Sequence, residues 1–235
     1  MDAALYLVGT PIGNLADMTY RAVTTLREAD VILAEDTRHS RILLNHYEIS
    51  TPMISCHKFN EARRLDLILE RLARGQAVAM ITDAGMPCVS DPGARVVSAC
   101  REAGFQVTVI PGPSAALSAF ALAGFPDARF YFEGFLPHKS GKRNKRLEWT
   151  AALGCPVIFF ESPYRLLKLM GELEPTWGPD CEVVVCRELT KKFEQTVAGK
   201  PSEVTAYYTG RAIKGELVVV AYRPEGVQAY DAEGI

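Results

Sequence analysis

Four short stretches of this chain combine residue types that can hold and activate a small ligand. They are Gly9-Thr10-Pro11-Ile12-Gly13-Asn14, Glu35-Asp36-Thr37-Arg38, Thr82-Asp83-Ala84-Gly85-Met86-Pro87-Cys88-Val89-Ser90-Asp91-Pro92-Gly93 and Pro111-Gly112-Pro113-Ser114-Ala115. Glycine and proline at this density describe fixed turns, and the carboxylates among them are acceptors for a cationic or hydroxyl-bearing ligand. The stretch from Gly9 to Asn14 lacks the Gly-Lys-Ser/Thr ending of a P-loop and is not GxGxxG. Ser114 sits in a partial nucleophile-elbow pattern, but Ala116 stands where the closing glycine belongs, which argues against a hydrolase. Tight turns alone account for any one of these stretches, and less well for all four.

A second kind of chemistry is written in His138-Lys139-Ser140-Gly141-Lys142-Arg143-Asn144-Lys145-Arg146. Such a run of cations attracts phosphate, with strong dependence on salt. It reads equally as a solvated loop and helix start. The net charge of −2 and a pI near 6.1 exclude a uniformly basic coat, so any nucleic-acid surface must be local. Arg38 and Arg41, one helical turn apart, and Arg187-Glu188-Leu189-Thr190-Lys191-Lys192 extend the candidate patch.

The elements that must position these residues follow from periodicity. Strands are expected at Leu5 to Val8, Val31 to Ala34, Pro52 to Cys56, Ala77 to Ile81 and Gln106 to Ile110. Between them lie a helix capped by Asp17 or Thr19, one carrying Ile42, Leu43 and Leu44, and an amphipathic one from Glu61 to Ala73 stopped by Gly75. A helix from Ala94 to Ala103, and a small-residue helix that follows Ala116 and runs to about Ala123, complete the series. Strands and helices alternating in this way imply a mostly parallel sheet covered on both faces. Its strand-ending loops would project from one edge, where open α/β sheets bind ligands.

Beyond Gly124-Phe125-Pro126-Asp127, which reads as a hinge, strands are expected at Phe130 to Phe132, Val157 to Phe160, Glu182 to Cys186, Glu194 to Ala198 and Leu217 to Tyr222. Helices are expected to end near Leu153 and to run from Tyr164 to Leu173. This is a second α/β domain with a mixed sheet, and the chain is expected to divide into residues 1–111 and 112–235. The tail after Arg223 is polar and expected to be loose. The N-terminus has no basic region before its apolar run, and no stretch approaches the ~18–20 residues of a membrane span. The six cysteines form no CxxC pair and the four histidines no HExxH, so reduced thiols in a cytoplasmic protein are expected, without a metal site or membrane partner.

The combination is specific. Leu7-Val8-Gly9-Thr10-Pro11-Ile12-Gly13-Asn14-Leu15, Glu35-Asp36-Thr37-Arg38, Thr82-Asp83-Ala84-Gly85 with Ser90-Asp91-Pro92-Gly93, and Pro111-Gly112-Pro113-Ser114-Ala115 occur in that order. Gly134-Phe135-Leu136-Pro137, Glu161-Ser162-Pro163 and Arg187-Glu188-Leu189-Thr190-Lys191 follow. From about Leu5 to Tyr222 the chain resembles the ribosomal RNA small-subunit methyltransferase I family, class III S-adenosylmethionine-dependent enzymes of the tetrapyrrole-methylase-like superfamily. The resemblance implies two α/β domains with the cofactor cleft between them, usually in a homodimer. It implies S-adenosyl-L-methionine as cofactor and 2′-O-methylation of a cytidine in the decoding region of 16S rRNA, presented as rRNA or as the small ribosomal subunit. By position, the implied cofactor-binding residues are Pro11, Asp83, Ala84, Gly85, Pro87, Ser114, Ala115, Leu136, Gly215, Glu216 and Leu217, in a segment that begins at Lys214.

Methyl transfer to a ribose oxygen is an in-line displacement, so orientation dominates and a base or polarising cation helps. Asp36, Glu188 and Lys191 are the candidate catalytic residues, with structural ion pairing as the competing explanation of each. Arg38, Arg41, Lys139, Lys142, Arg143, Lys145 and Arg146 are the candidate RNA-binding residues. A tetrapyrrole (porphyrin or corrin precursor) methyltransferase and a non-catalytic RNA-binding protein are the alternatives on the same fold. The first leaves the Glu35 to Arg38 motif and the basic segment without a purpose. Met86 and Cys88 depart from the family pattern, which has Thr and an aliphatic residue there. The chain also ends soon after Glu216-Leu217-Val218-Val219-Val220, where many relatives continue, a difference that bears on RNA affinity more than on cofactor binding.

Overall fold

The computed structural model describes residues 1–224; the expected loose tail falls mainly on residues 225–235, outside the described residues. The chain forms two compact units that meet in sequence between Ser114 and Ala115. The turn at residues 124–127, expected as the hinge, lies inside the second unit, because the helix before it packs on that unit's sheet.

The first unit holds strands β1 (Leu5–Val8), β2 (Val31–Ala34), β3 (Met53–Ser55), β4 (Val78–Ile81) and β5 (Val107–Ile110), with helices α1 (Tyr20–Glu28), α2 (Thr37–His46), α3 (Glu61–Ala73) and α4 (Ala94–Glu102). The strands run in the order β3-β2-β4-β1-β5, every neighbouring pair parallel. Side chains alternate between faces. Val8, Ile32, Ala34, Ala79 and Ile81 meet Leu26 of α1 and Leu44 of α2 on one side. Leu5, Val31, Leu33, Val78 and Met80 meet Ile68 of α3 and Val96 of α4 on the other. Burial on both faces is why β2 and β4 are unbroken apolar runs. Each of the Val, Leu, Ile and Met side chains among them contributes ~1.5–3 kcal/mol of transfer free energy. Thr19, not Asp17, caps α1, its hydroxyl accepting the Ala22 N–H at 3.1 Å; Asp17 closes a short 3-10 turn, Leu15–Asp17. Parallel strands end on one edge, and the four loops emerge there together.

The second unit holds α5 (Ala115–Ala123), β6 (Tyr131–Phe135), α6 (Ser140–Ala151), β7 (Val157–Glu161), α7 (Leu166–Trp177), β8 (Glu182–Arg187), β9 (Gln195–Gly199), α8 (Pro201–Tyr208) and β10 (Leu217–Tyr222). Its order is β6-β7-β10-β8-β9, with β6 and β7 parallel and the remaining pairs antiparallel. Leu147 of α6, Leu169 and Trp177 of α7 and Val204 of α8 share a core with Phe159, Val185 and Val219 of the sheet, while α5 packs against β7, β8 and β10. Helix α7 continues past the expected end at Leu173 and through Pro175, because Trp177 is buried and its indole N–H donates to the Leu147 carbonyl at 3.2 Å. No periodicity in the sequence announces α8. It begins with Pro201 in the first turn, and the Glu203 carboxylate accepts the Lys200 N–H at 2.8 Å.

Candidate functional site

In the first unit three of the four loops are joined by main-chain contacts, and the Glu35–Arg38 loop is tied to them through side chains. Thr10 and Gly85 form a two-way bridge, Thr10 N–H to the Gly85 carbonyl at 2.9 Å and Gly85 N–H to the Thr10 carbonyl at 3.1 Å. The buried Thr10 hydroxyl donates to the Thr82 carbonyl at 3.2 Å, and Gly9 N–H donates to the Ile110 carbonyl at 3.0 Å. Gly9 and Gly112 touch backbone to backbone: a Cβ on Gly112 would meet Gly9 Cα at 2.9 Å. The glycines therefore let two loops approach closely, which is a stronger reason for them than turn formation.

Around Thr82 the acids gather. Its hydroxyl donates to Glu35 Oε2 at 3.0 Å, and the Asp83 carboxylate accepts the Asp36 N–H at 3.2 Å. Burial raises the Asp91 carboxyl to about 6, against a hydrogen bond from Thr82, and the charges of Glu35 and Asp83 push the same way. A rim that already holds one carboxylate near protonation favours a cation, so these residues fit the positively charged sulfonium that the resemblance implies. Pro11 and Pro87 are buried in the loops, Asp83 and Ser114 half-buried, and Ala84 exposed. Met86 and Cys88, the two departures, pack their sulfurs against Gly9 and Gly93, and Cys88 takes a left-handed φ of +71°. They fill space within the loop. Thr82, Asp91 and Gly112 lie within the stretches read from sequence but take no individual role there, because only their neighbours in space give them one.

Asp36 caps α2. Its Oδ1 accepts the Arg38 N–H at 2.8 Å, and its carboxylate also takes Arg38 Nε at 3.2 Å and Nη2 at 2.9 Å. Those side-chain bonds, then the backbone one, hold the carboxyl down at about 2. Asp36 is thus a firmly ionised acceptor and a weak base, while Arg38 and Arg41 are exposed.

In the second unit, Glu188, Lys191 and Glu216 form one cluster. Lys191 Nζ donates to Glu188 Oε1 at 3.0 Å and to Glu216 Oε2 at 2.9 Å, and the Glu216 N–H donates to Glu188 Oε1 at 2.9 Å. Glu188 has a φ of +52°, and Gly215 is required beside it, since a Cβ there would lie 2.3 Å from Glu188 Oε1. The Glu216 N–H and Lys191 hold Glu188 below the usual carboxylate range. Burial pulls Lys191 down, but its bonds to Glu216 and Glu188 outweigh this and leave it raised. Lys191 is a cation here, suited to polarising an oxygen rather than taking a proton. Leu136 and Leu217 are buried in this unit's core, and Ala115 opens α5.

The basic segment separates on inspection. Lys139, Lys142 and Lys145 are exposed. Arg143 is a correction to the expected surface patch: its side chain is 1% exposed and ion-paired with Glu161 at 3.0 Å and with Glu172. Glu161 also receives Arg165 at 2.8 Å, so Glu161-Ser162-Pro163 anchors a buried ionic hub. Arg146 is half-buried, bonded to Glu133 at 2.7 Å and stacked 4.1 Å from the Trp149 ring centroid. Helical periodicity decides this: Arg143 falls on the face of α6 that turns inward with Leu147, four residues on. All six cysteines are unpaired, and burial raises Cys56 and Cys100 to about 11 and Cys181 to about 12.

The family model for Tetrapyrrole (Corrin/Porphyrin) Methylases matches residues 4–205. Ribosomal RNA small subunit methyltransferase I of Thermotoga maritima is 46% identical over 217 residues, covering 92% of this chain and 96% of that protein. The protein of the same name from Vibrio cholerae is 41% identical over 236 residues, covering 98% of this chain and 82% of its own. Among solved structures, a cobalt precorrin-4 methyltransferase superposes with a TM-score of 0.69 at 20% identity, covering 94% of this chain and 95% of that one. A Thermus thermophilus uroporphyrin-III C-methyl transferase complexed with S-adenyl homocysteine gives 0.66 at 20% identity, covering 92% and 96%. These two establish the fold.

Proposed function

The chain belongs to the tetrapyrrole (corrin/porphyrin) methylase family and, within it, to the ribosomal RNA small subunit methyltransferase I proteins, and on that premise we propose that it methylates 16S rRNA. It is an S-adenosylmethionine-dependent methyltransferase. The finer reading is transfer to the ribose 2′-hydroxyl of a cytidine in the decoding region, by a cytoplasmic homodimer. The observation that carries the rRNA reading is the 46% identity to a small-subunit rRNA methyltransferase across 96% of that protein.

S-adenosylmethionine, when bound, supplies an activated methyl group. The chain's own residues do the rest. Pro11, Asp83, Ala84, Gly85, Pro87, Ser114, Ala115, Leu136, Gly215, Glu216 and Leu217 are proposed to hold the cofactor, and the Asp83 carboxylate would supply a negative charge to suit its sulfonium. Asp36 and Glu188, both held ionised, serve as acceptors that orient a hydroxyl, and Lys191 serves as the polarising cation. Arg38, Arg41, Lys139, Lys142 and Lys145 steer phosphates. Arg146, shared with Glu133, contributes less.

The test is incubation with methyl-labelled cofactor and small ribosomal subunits from a strain lacking the enzyme, followed by mapping of the label. Label on a 2′-O-methylcytidine is the expected result. Label in porphyrin precursors with none in rRNA would overturn the reading in favour of the tetrapyrrole alternative. Sedimentation at twice the 25.8 kDa chain mass tests the dimer.

A further inference from the structure

Against α2, the first unit contains a cavity of about 240 Å³. Its lining includes Pro11, Leu15, Ile42 and Leu43, which are apolar, and Ser40 and Asp83, which are not. Ser40 is 3% exposed, and its hydroxyl has no hydrogen-bond partner among the described residues. Leaving a buried hydroxyl unpartnered disfavours the folded state, so a polar group that reached Ser40 would be favoured by completing it. The cavity is smaller than the ~300–1,000 Å³ that encloses a drug-sized molecule. It suits a single ring system.

We propose that this cavity receives the target nucleoside, turned out of its RNA strand, with the Ser40 side chain turning to bond its hydroxyl to the pyrimidine edge and the apolar side chains covering the ring. The proposal rests on the rRNA-methylation reading and names the part of the first unit that selects the base. An enzyme that modifies a nucleotide inside a structured nucleic acid extrudes it, reads its edge by hydrogen bonds and covers its faces with apolar groups. Ser40 can both donate and accept, as a base edge requires. The same helix carries Arg38 and Arg41, exposed to meet the flanking phosphates. Pro11 and Asp83 belong both to this lining and to the proposed cofactor set, so the base site adjoins the residues proposed to hold the methyl donor.

Two variants test this. Ser40→Ala removes the hydroxyl, and Ile42→Trp narrows the cavity from a position that is 62% exposed and therefore tolerant of substitution. Calorimetry with S-adenosylmethionine should stay within about twofold of wild type in both. Ser40→Ala should melt at or above wild type, since it deletes an unpartnered group. Single-turnover methylation of small subunits should fall at least about tenfold in each. Saturation-transfer NMR with free cytidine, in the presence of S-adenosylhomocysteine, should show contact in wild type that Ile42→Trp abolishes. Loss of cofactor affinity in both variants would reassign the cavity to the cofactor and overturn the proposal. So would wild-type methylation and cytidine contact in both. A wild-type chain that contacts cytidine yet labels no rRNA would instead sink the rRNA reading and leave the nucleoside site standing.

Discussion

Burial first, and then the charges of Glu35 and Asp83, push the Asp91 carboxyl up from 3.8 to about 6. The folded chain therefore binds more protons than the unfolded one between those values, and this group's effect is to lower stability as pH rises through about 6. Asp91→Asn should match wild type in thermal melting near pH 4 and melt above it at pH 7.5; parallel pH profiles would contradict that. A cation bound beside the cluster draws the same proton off. S-adenosylmethionine affinity should accordingly rise as pH passes upward through about 6, and the rise should flatten in Asp91→Asn. Arg143 raises a different issue at the same scale. Removing it takes the shared, buried cation from Glu161 and Glu172 and leaves them only Arg165 and Lys168. Arg143→Ala should cost about 3–5 kcal/mol in denaturant unfolding, whereas Lys142→Ala, on the exposed side of the same helix, should stay within about 0.5 kcal/mol.

Among the elements, the edge where β1, β4 and β5 end is held by contact between loops rather than by any loop alone. Gly112→Ala places a methyl against the Gly9 main chain and forces the two apart. A loss of about 1–3 kcal/mol in unfolding free energy is expected from that overpacking, together with loss of S-adenosylmethionine binding by calorimetry. An alanine variant that binds normally would show that the close approach has no part in the site. In the second unit, Trp177 pins the last turn of α7 against α6 and the sheet. Trp177→Ala should cost about 3–5 kcal/mol. Apolar spacing made most of these elements legible: Glu61–Ala73 is the span expected for α3, and the alternating faces of β1, β2 and β4 follow their apolar runs. Helix α8 was not legible, because its stability lies in a terminal carboxylate bond and in packing of Val204 and Tyr208, not in a repeating stripe.

For the whole molecule, an overall charge of −2 means that attraction to RNA must come from local cations. Replacing Lys139, Lys142 and Lys145 together by alanine should weaken rRNA binding across sequences. It should also flatten the slope of log affinity against log salt by about 2–3, with cofactor affinity unchanged. An unaltered slope would remove α6 from the RNA-binding surface. By itself the sequence determined two α/β units, the parallel sense of the strands that sends four loops to one edge, and the family, because apolar periodicity and loop motifs are properties of consecutive residues. Only the tertiary structure decided which charges are free. Arg143 and Lys142 are adjacent cations in one basic run, yet one is buried between two carboxylates and the other is exposed. Asp36 and Asp91 are both loop aspartates, yet one is held at about 2 and the other at about 6. The reason is that burial and charge–charge coupling depend on distances in space, and residues far apart in the chain, such as Glu35 and Asp91, set those distances only once the sheet has formed.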